Sequence, residues 1–375
     1  MKEVENNKKI IFFIDSPGYG GSEINAIKLI KALKIEYQIE LVLNKIHCKQ
    51  ISDFAKCNNL PVHLFNVGNN KKYILFGLIK ANRILKKFKK DLVIIWCHHL
   101  DSNRWVQLTA AFKNLKYIIV EQLLPTEYAH LSKSMLTIPI KKYVTSRSVT
   151  NVICAFSQVD NYQKIFKTKN VTIIPNSRDI KNIQQKVNRY KQTFQVPISL
   201  KGFCITYIGR LTDQKDPLTI IKAVHELKNK FPITLIMIGE GELQPILKNY
   251  IEKFKIDNVF LIGYDETPLR WLAFADMFII NSLSEGLPGA LIEAMAAGVP
   301  CIATNIPGNN ELIINEKTGL LIQVKNEKSL QKEIEKMILK PELRKELANN
   351  AYNHVLENYD KSIEEKKWFD LLKKI

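Results

Sequence analysis

At 375 residues, with 46% hydrophobic and 25% charged residues, the chain is long enough for two domains and too apolar for a disordered polymer. Its six cysteines form no C-x-x-C pair and no zinc-ligand spacing, so they read as buried small hydrophobes. The net charge of +18 is uneven: residues 1–190 hold 31 Lys+Arg against 13 Asp+Glu, an excess of 18, and residues 191–375 hold 24 of each. An anionic partner is therefore expected for the first half alone.

Residues 1–9 are polar and lack the apolar core of a secretory signal, and no apolar run approaches the roughly 20 residues that cross a bilayer. The chain reads as cytoplasmic. Runs rich in β-branched residues at 10–14, 39–43, 62–67, 92–97, 117–120, 152–155 and 171–174 alternate with helix-length segments, the rhythm of βαβ units and a parallel sheet. After the first run, Asp15 leads into Ser16-Pro17-Gly18-Tyr19-Gly20-Gly21-Ser22-Glu23 and then a helix with apolar residues at Ile24, Ile27 and Ile30. Glycines at such a turn let backbone N–H groups approach an anion at a helix N-terminus. A plain tight turn is the competing reading.

Over 71–90, Ile74, Leu75, Leu78, Ile79, Ala81, Ile84, Leu85 and Phe88 fit one helical face; Lys72, Lys80, Arg83, Lys86, Lys87, Lys89 and Lys90 supply the polar one. A basic amphipathic helix suits an anionic membrane surface, which Pro139-Ile140-Lys141-Lys142-Tyr143 would extend. The alternative is an ordinary surface helix with its apolar face on the sheet. The polar segment 181–195, followed by Val196-Pro197, reads as a hinge.

The second half repeats the βαβ rhythm, with runs at 203–208, 233–238, 259–262, 277–281, 300–304 and 319–324 and a helix over 217–229. The expected fold class is α/β, two Rossmann-like domains facing each other across a cleft. Gly209-Arg210-Leu211 follows the first run of this half, with Lys215 five residues after Arg210. Ligands bind beyond the carboxyl ends of strands in such sheets, and both cations suit phosphate oxygens, although surface cations are often merely solvated. The run at 277–281 leads to Glu285-Gly286-Leu287-Pro288-Gly289-Ala290-Leu291-Ile292-Glu293, with a helix expected to start near Pro288. A carboxylate such as Glu293 among small and apolar residues calls for an assigned partner, and ribose hydroxyls are natural ones.

The E-x7-E spacing of Glu285 and Glu293, together with Arg210, Lys215, Gly20-Gly21-Ser22-Glu23 and Ile174-Pro175-Asn176, resembles glycosyltransferase family 4, whose members have the GT-B fold and retain the anomeric configuration of the donor. The resemblance covers nearly the whole chain. It implies a hexosyltransferase with an acceptor-binding domain over 1–190, a nucleotide-sugar-binding domain over 191–355 and a C-terminal helix over 356–375 that packs back toward the N-terminal domain. Arg210, Lys215 and Glu285 would be catalytic. The cations would stabilise the leaving diphosphate with help from the backbone of Gly286, Leu287, Pro288, Gly289 and Ala290, and Glu285 would hold donor sugar hydroxyls. Glu293 would hold the ribose, and Gly20 and Gly21 would close over the diphosphate. Gly241 would lie beside the nucleotide and Tyr264 near the base. Because cations can replace a metal at a leaving phosphate, no metal and no cofactor are expected.

Two departures from the family pattern stand out. Glu121-Gln122 replaces a histidine expected near the donor sugar, and Pro175-Asn176-Ser177 replaces Pro-Asn-Gly. His98, His99, Glu121, Gln122 and Asn176 are the acceptor-side candidates. The resulting expectation is transfer from a UDP-linked sugar to a lipid-linked or cell-surface polysaccharide acceptor, by an enzyme peripheral at the inner face of the cell membrane, docked through 71–90. An inverting GT-B transferase or a nucleotide-sugar epimerase remains the alternative within enzymes. Outside them stand a catalytically silent partner subunit and a basic nucleic-acid-binding protein. The last would leave Glu285 and Glu293 unexplained, so no nucleic-acid partner is expected.

Overall fold

Continuous apolar runs such as Ile10-Ile11-Phe12-Phe13 are buried along their whole length, as strands covered on both faces require. The computed structural model describes residues 8–15, 20–43, 49–65, 74–97, 103–122 and 137–375. In chain order the first seven strands are β1 (Lys9–Ile14), β2 (Gln38–Leu43), β3 (Val62–Leu64), β4 (Leu92–Cys97), β5 (Tyr117–Glu121), β6 (Thr150–Ile153) and β7 (Val171–Ile173). They form a sheet of order β3-β2-β1-β4-β5-β6-β7 with every pair parallel. A second parallel sheet, of order β10-β9-β8-β11-β12-β13, holds β8 (Phe203–Ile208), β9 (Ile233–Ile238), β10 (Val259–Gly263), β11 (Met277–Ile280), β12 (Cys301–Thr304) and β13 (Leu320–Ile322). In each sheet the order reverses once, between β1 and β4 and between β8 and β11. Connections diverge there and leave a crevice at the carboxyl ends.

The chain divides into two compact units: residues 1–175 with 365–375, and residues 176–364. The expected break at 190/191 is thus displaced to Pro175/Asn176. The segment expected to be a hinge is instead the helix Ile180–Thr193, opened by Asp179, whose carboxylate accepts from the Asn182 N–H at 3.2 Å. Its buried Ile180, Ile183 and Val187 face the second unit, where it packs on the helices Leu269–Leu272 and Gly289–Ala296. At the other end of the chain, Trp368 and Leu372 of the helix Lys361–Lys373 join the core of the first unit with Ile10, Phe12 and Leu29. Recounted by unit, the first holds 31 basic and 14 acidic residues, a surplus of 17, and the second 24 and 23.

The helix Ile74–Leu85 turns Leu78, Ala81, Ile84 and Leu85 to the core of the first sheet, but its apolar residues are not all on that face. Ala81 and Leu85, followed by Phe88, are buried, whereas Leu75, Phe76 and Ile79 are 73%, 51% and 57% exposed. Exposed Arg83, Lys86 and Lys87 follow that outward apolar stripe along the chain, and Lys80 lies over the Phe76 ring at 4.6 Å. Gly77 explains the rotation, because a methyl there would stand 2.6 Å from the Trp105 ring. Trp105 belongs to the helix Arg104–Phe112. The expected extension of the basic surface through Lys141 does not hold, since this side chain is buried in an ion pair with Glu121. Among the described residues, no helix is long and apolar enough to cross a membrane.

Candidate active site

The reversal of strand order in the second sheet brings the ends of β8 and β11 side by side. Beyond β8, the buried Tyr207 hydroxyl donates to the Arg210 carbonyl at 2.7 Å and so fixes the turn that presents Arg210. Gly239, at the end of β9, has φ +134°, and a Cβ on it would meet the Gly209 carbonyl oxygen at 2.0 Å. Only glycine admits both that dihedral and that approach. Gly241 similarly lies against the Leu211 carbonyl. The Arg210 side chain is exposed and, among the described residues, makes no ion pair.

Lys215 ends the short turn Asp213–Lys215, which is stitched to the loop after β11. The Leu283 N–H donates to the Gln214 carbonyl at 2.8 Å, and Gln214 Nε2 donates to the Ser284 carbonyl at 2.9 Å. This stitching sets Lys215 Nζ against Glu285 Oε1, an oxygen that also accepts from Ser282 Oγ at 2.5 Å. Glu285 is 6% exposed, so its negative charge depends on these two donors.

Glu293 follows on the next helix, Gly289–Ala296. Pro288 is the extended residue before this helix rather than its first turn, with φ −73° and ψ 115°. The first-turn N–H groups at Gly289 and Ala290 lack intrahelical acceptors and carry the positive end of the helix dipole. Gly286, Leu287 and Pro288 are buried beneath them. Glu293 is engaged by a residue absent from the expected set: Arg178 Nε donates to Glu293 Oε1 at 2.6 Å. Its position directly after Pro175-Asn176-Ser177 was the only signal in the sequence. Asn176, expected on the acceptor side, lies in this second unit with its amide nitrogen 3.5 Å from the Leu287 carbonyl oxygen.

Tyr264 lies just past β10 and is 53% exposed. Its N–H donates to Glu240 Oε1 at 3.4 Å. Next to it Asp265 accepts from Trp271 Nε1 at 2.6 Å and Arg270 Nε at 2.8 Å. Burial opposes ionisation of Asp265, but the Thr267 N–H, Trp271 and Arg270 together hold its carboxyl below the usual range. The loop bearing Tyr264 is therefore tied at its base.

In the first unit, Gly20 precedes and Gly21 opens the helix Gly21–Leu33 at the reversal between β1 and β4. Trp96 of β4 donates through Nε1 to Ser22 Oγ at 3.0 Å. Glu121, an acceptor-side candidate, is fully buried; Lys141 Nζ lies 2.5 Å and the Tyr162 hydroxyl 3.4 Å from its Oε1. Gln122 is 9% exposed, with Oε1 accepting from Asn25 Nδ2 at 3.2 Å. His98 and His99 lie outside the described residues.

Two parallel α/β units define the class as the GT-B glycosyltransferase fold. The solved structure of Anabaena HepE in complex with UDP matches it with a TM-score of 0.83, covering 98% of this chain and 100% of that one at 16% identity. More particularly, residues 188–354 match the family described as Glycosyl transferases group 1. An uncharacterised glycosyltransferase of Methanocaldococcus jannaschii is 32% identical over 65% of this chain and 63% of its own length, so that match spans less than two thirds of the relative. A Campylobacter jejuni protein is 25% identical over 92% of this chain and 94% of its own length. It is named as an N-acetylgalactosamine-N,N'-diacetylbacillosaminyl-diphospho-undecaprenol 4-alpha-N-acetylgalactosaminyltransferase.

Proposed function

We propose that this chain is a retaining glycosyltransferase of family 4 type that moves a hexose from a UDP-linked donor to a lipid-linked glycan at the cytoplasmic face of a membrane. The observation that carries the reading is the convergence of Arg210, Lys215 and Glu285 at the strand-order reversal of the second sheet, beside the start of the helix that bears Glu293. Two cations and a helix N-terminus suit a diphosphate, and two carboxylates suit hydroxyls. The HepE complex supports UDP as the nucleotide, and the Campylobacter relative supports a polyprenyl-diphosphate acceptor.

In the proposed reaction the bond between the anomeric carbon and the diphosphate oxygen breaks, and the negative charge developing on that oxygen is met by Arg210 and Lys215. The acceptor hydroxyl attacks from the face the diphosphate leaves, and its proton passes to the departing phosphate oxygen. This charge balance needs no divalent ion. The test is NMR assignment of the product anomer formed from UDP-α-hexoses and a polyprenyl-diphosphate-linked sugar, with a chelator present throughout. An α-product formed at the same rate with and without chelator is expected; a β-product would overturn the retaining assignment.

Membrane docking through the helix Ile74–Leu85 has its own support. An outward stripe of Leu75, Phe76 and Ile79, followed along the helix by exposed Arg83, Lys86 and Lys87, offers apolar surface to the acyl boundary and charge to anionic headgroups. Serine at all three positions is expected to weaken co-sedimentation with phosphatidylglycerol vesicles by about tenfold or more, since each buried apolar side chain contributes of order 1 kcal/mol. Equal partitioning of the unmodified chain on anionic and neutral vesicles, unaffected by salt, would sink the electrostatic part of this reading.

A further inference from the structure

The ion pair between Arg178 and Glu293 joins residues 115 apart in sequence and belongs to no motif that the reading above used. Arg178 is 8% exposed and the Glu293 side chain 17%. The backbone around Arg178 is pinned by other contacts: its N–H donates to the Tyr359 carbonyl at 3.0 Å, its carbonyl accepts from the Lys361 N–H at 2.8 Å, and Nη1 donates to the Ser177 carbonyl at 2.9 Å. Preceding it, Ser177 donates through both N–H and Oγ to Glu364 Oε2, at 3.0 and 2.6 Å. An arginine with so constrained a backbone delivers its planar fork to one place.

That place is the first turn of the helix Gly289–Ala296. A methyl built on Gly289 would stand 1.8 Å from Arg178 Nη2. Gly289 has no positive φ, so alanine would suit its backbone, and the guanidinium is what a side chain there would have to displace. Glycine costs helix stability relative to alanine, roughly 1 kcal/mol within a helix. Arg178 therefore has a consequence for local sequence beyond its ion pair. Arg178 takes Glu293 Oε1, and among the described residues Glu293 Oε2 has no hydrogen-bond partner.

We propose that Arg178 is a positioning residue for ribose recognition: it clamps one carboxylate oxygen of Glu293 so that the other is held ready for the ribose hydroxyls of the nucleotide. The proposal rests on the assignment of Glu293 to the ribose. A carboxylate free to rotate would lose side-chain freedom on binding, and the clamp removes that cost beforehand. An Arg–carboxylate bond also fixes the plane of the carboxylate, whereas a lysine would supply charge without orientation. A pair serving only to tie the connecting segment to the helix would affect stability and leave ligand selectivity unchanged.

The experiment compares the Kd of UDP, of 2′,3′-dideoxy-UDP and of inorganic pyrophosphate by calorimetry, using the full chain. The unmodified protein is expected to prefer UDP over the dideoxy analogue by about tenfold to a hundredfold, the usual range for hydrogen bonds to a charged group. Glu293→Gln removes most of that preference. Arg178→Gln lowers it by about tenfold while leaving the pyrophosphate Kd unchanged, and adding it to Glu293→Gln brings no further loss. Gly289→Ala, which displaces the guanidinium without deleting it, lowers the preference as well. Arg178→Lys, expected to give a partial loss, reports on the orientation even if the glutamine variant does not fold.

If the unmodified protein does not distinguish the two nucleotides, the ribose assignment fails and the inference falls with it. If Glu293→Gln loses the preference while the Arg178 and Gly289 variants that fold keep it, the clamp alone is overturned. Equal weakening of UDP, its analogue and pyrophosphate by Arg178→Gln would instead mark a phosphate ligand, and would also overturn the clamp.

Discussion

Arg210→Ala is expected to lower kcat by about 10²–10³, the usual cost of removing a group aimed at charge developing in the transition state. Its unfolding free energy should stay within about 0.5 kcal/mol of the unmodified chain, because the side chain is exposed and has no ion-pair partner among the described residues. Lys215→Ala should lose activity on the same scale but also lose stability. Its ammonium neutralises Glu285, which is 6% exposed and would keep, among the described residues, the Ser282 hydroxyl as its side-chain donor. The pair thus separates two effects often confounded in an active site. Single-turnover transfer rates and urea unfolding on the same preparations provide the check. Retention of kcat within about threefold in Arg210→Ala would remove this residue from the leaving-group role, since an electrostatic contact of this kind is worth several kcal/mol.

The largest stability change is expected in the first unit. Lys141→Met removes the ammonium that pairs with the Glu121 carboxylate, which is fully buried at the end of β5 and keeps the Tyr162 hydroxyl. Breaking a buried pair from one side costs about 3–5 kcal/mol, because the remaining charge loses the Coulombic attraction that offset its desolvation. Replacing both partners, Glu121→Leu with Lys141→Met, should recover most of the loss, since no unpaired charge remains. Denaturant unfolding followed by intrinsic tryptophan fluorescence reads both variants, since Trp96, Trp105 and Trp368, three of the four tryptophans, lie in the first unit. A single-variant loss below about 1 kcal/mol would mean that Glu121 is compensated without Lys141. Gln122, the residue after β5, accepts from Asn25 Nδ2, so the two variants also report on how the end of this strand is held.

Much of the fold was legible because its determinants are local. Each strand is a short run with its own β-branched residues, and the helices between them imposed parallel pairing. The run expected at 152–155 is a strand at Thr150–Ile153, an offset typical of element ends. The segment 181–195 has the composition of a hinge for a different reason. Its polar residues occupy the exposed face of a helix whose inner stripe is only Ile180, Ile183 and Val187, too sparse to stand out in the chain.

The sequence by itself determined the two parallel sheets, the charge confined to the first half, and the cations and carboxylates at the ends of β8 and β11. Periodicity and strand-end position are properties of neighbouring residues. Tertiary structure alone decided which of these charges meet. It set Lys215 against Glu285 across 70 residues, delivered Arg178 to Glu293 and against Gly289, and buried Lys141 on Glu121 instead of leaving it on the basic surface. It also turned Leu75, Phe76 and Ile79 outward, since Gly77 against Trp105 fixes the rotation of their helix. Ion pairs and helix rotations depend on which backbones approach closely enough to touch, and a linear pattern of residue types carries no distances between segments.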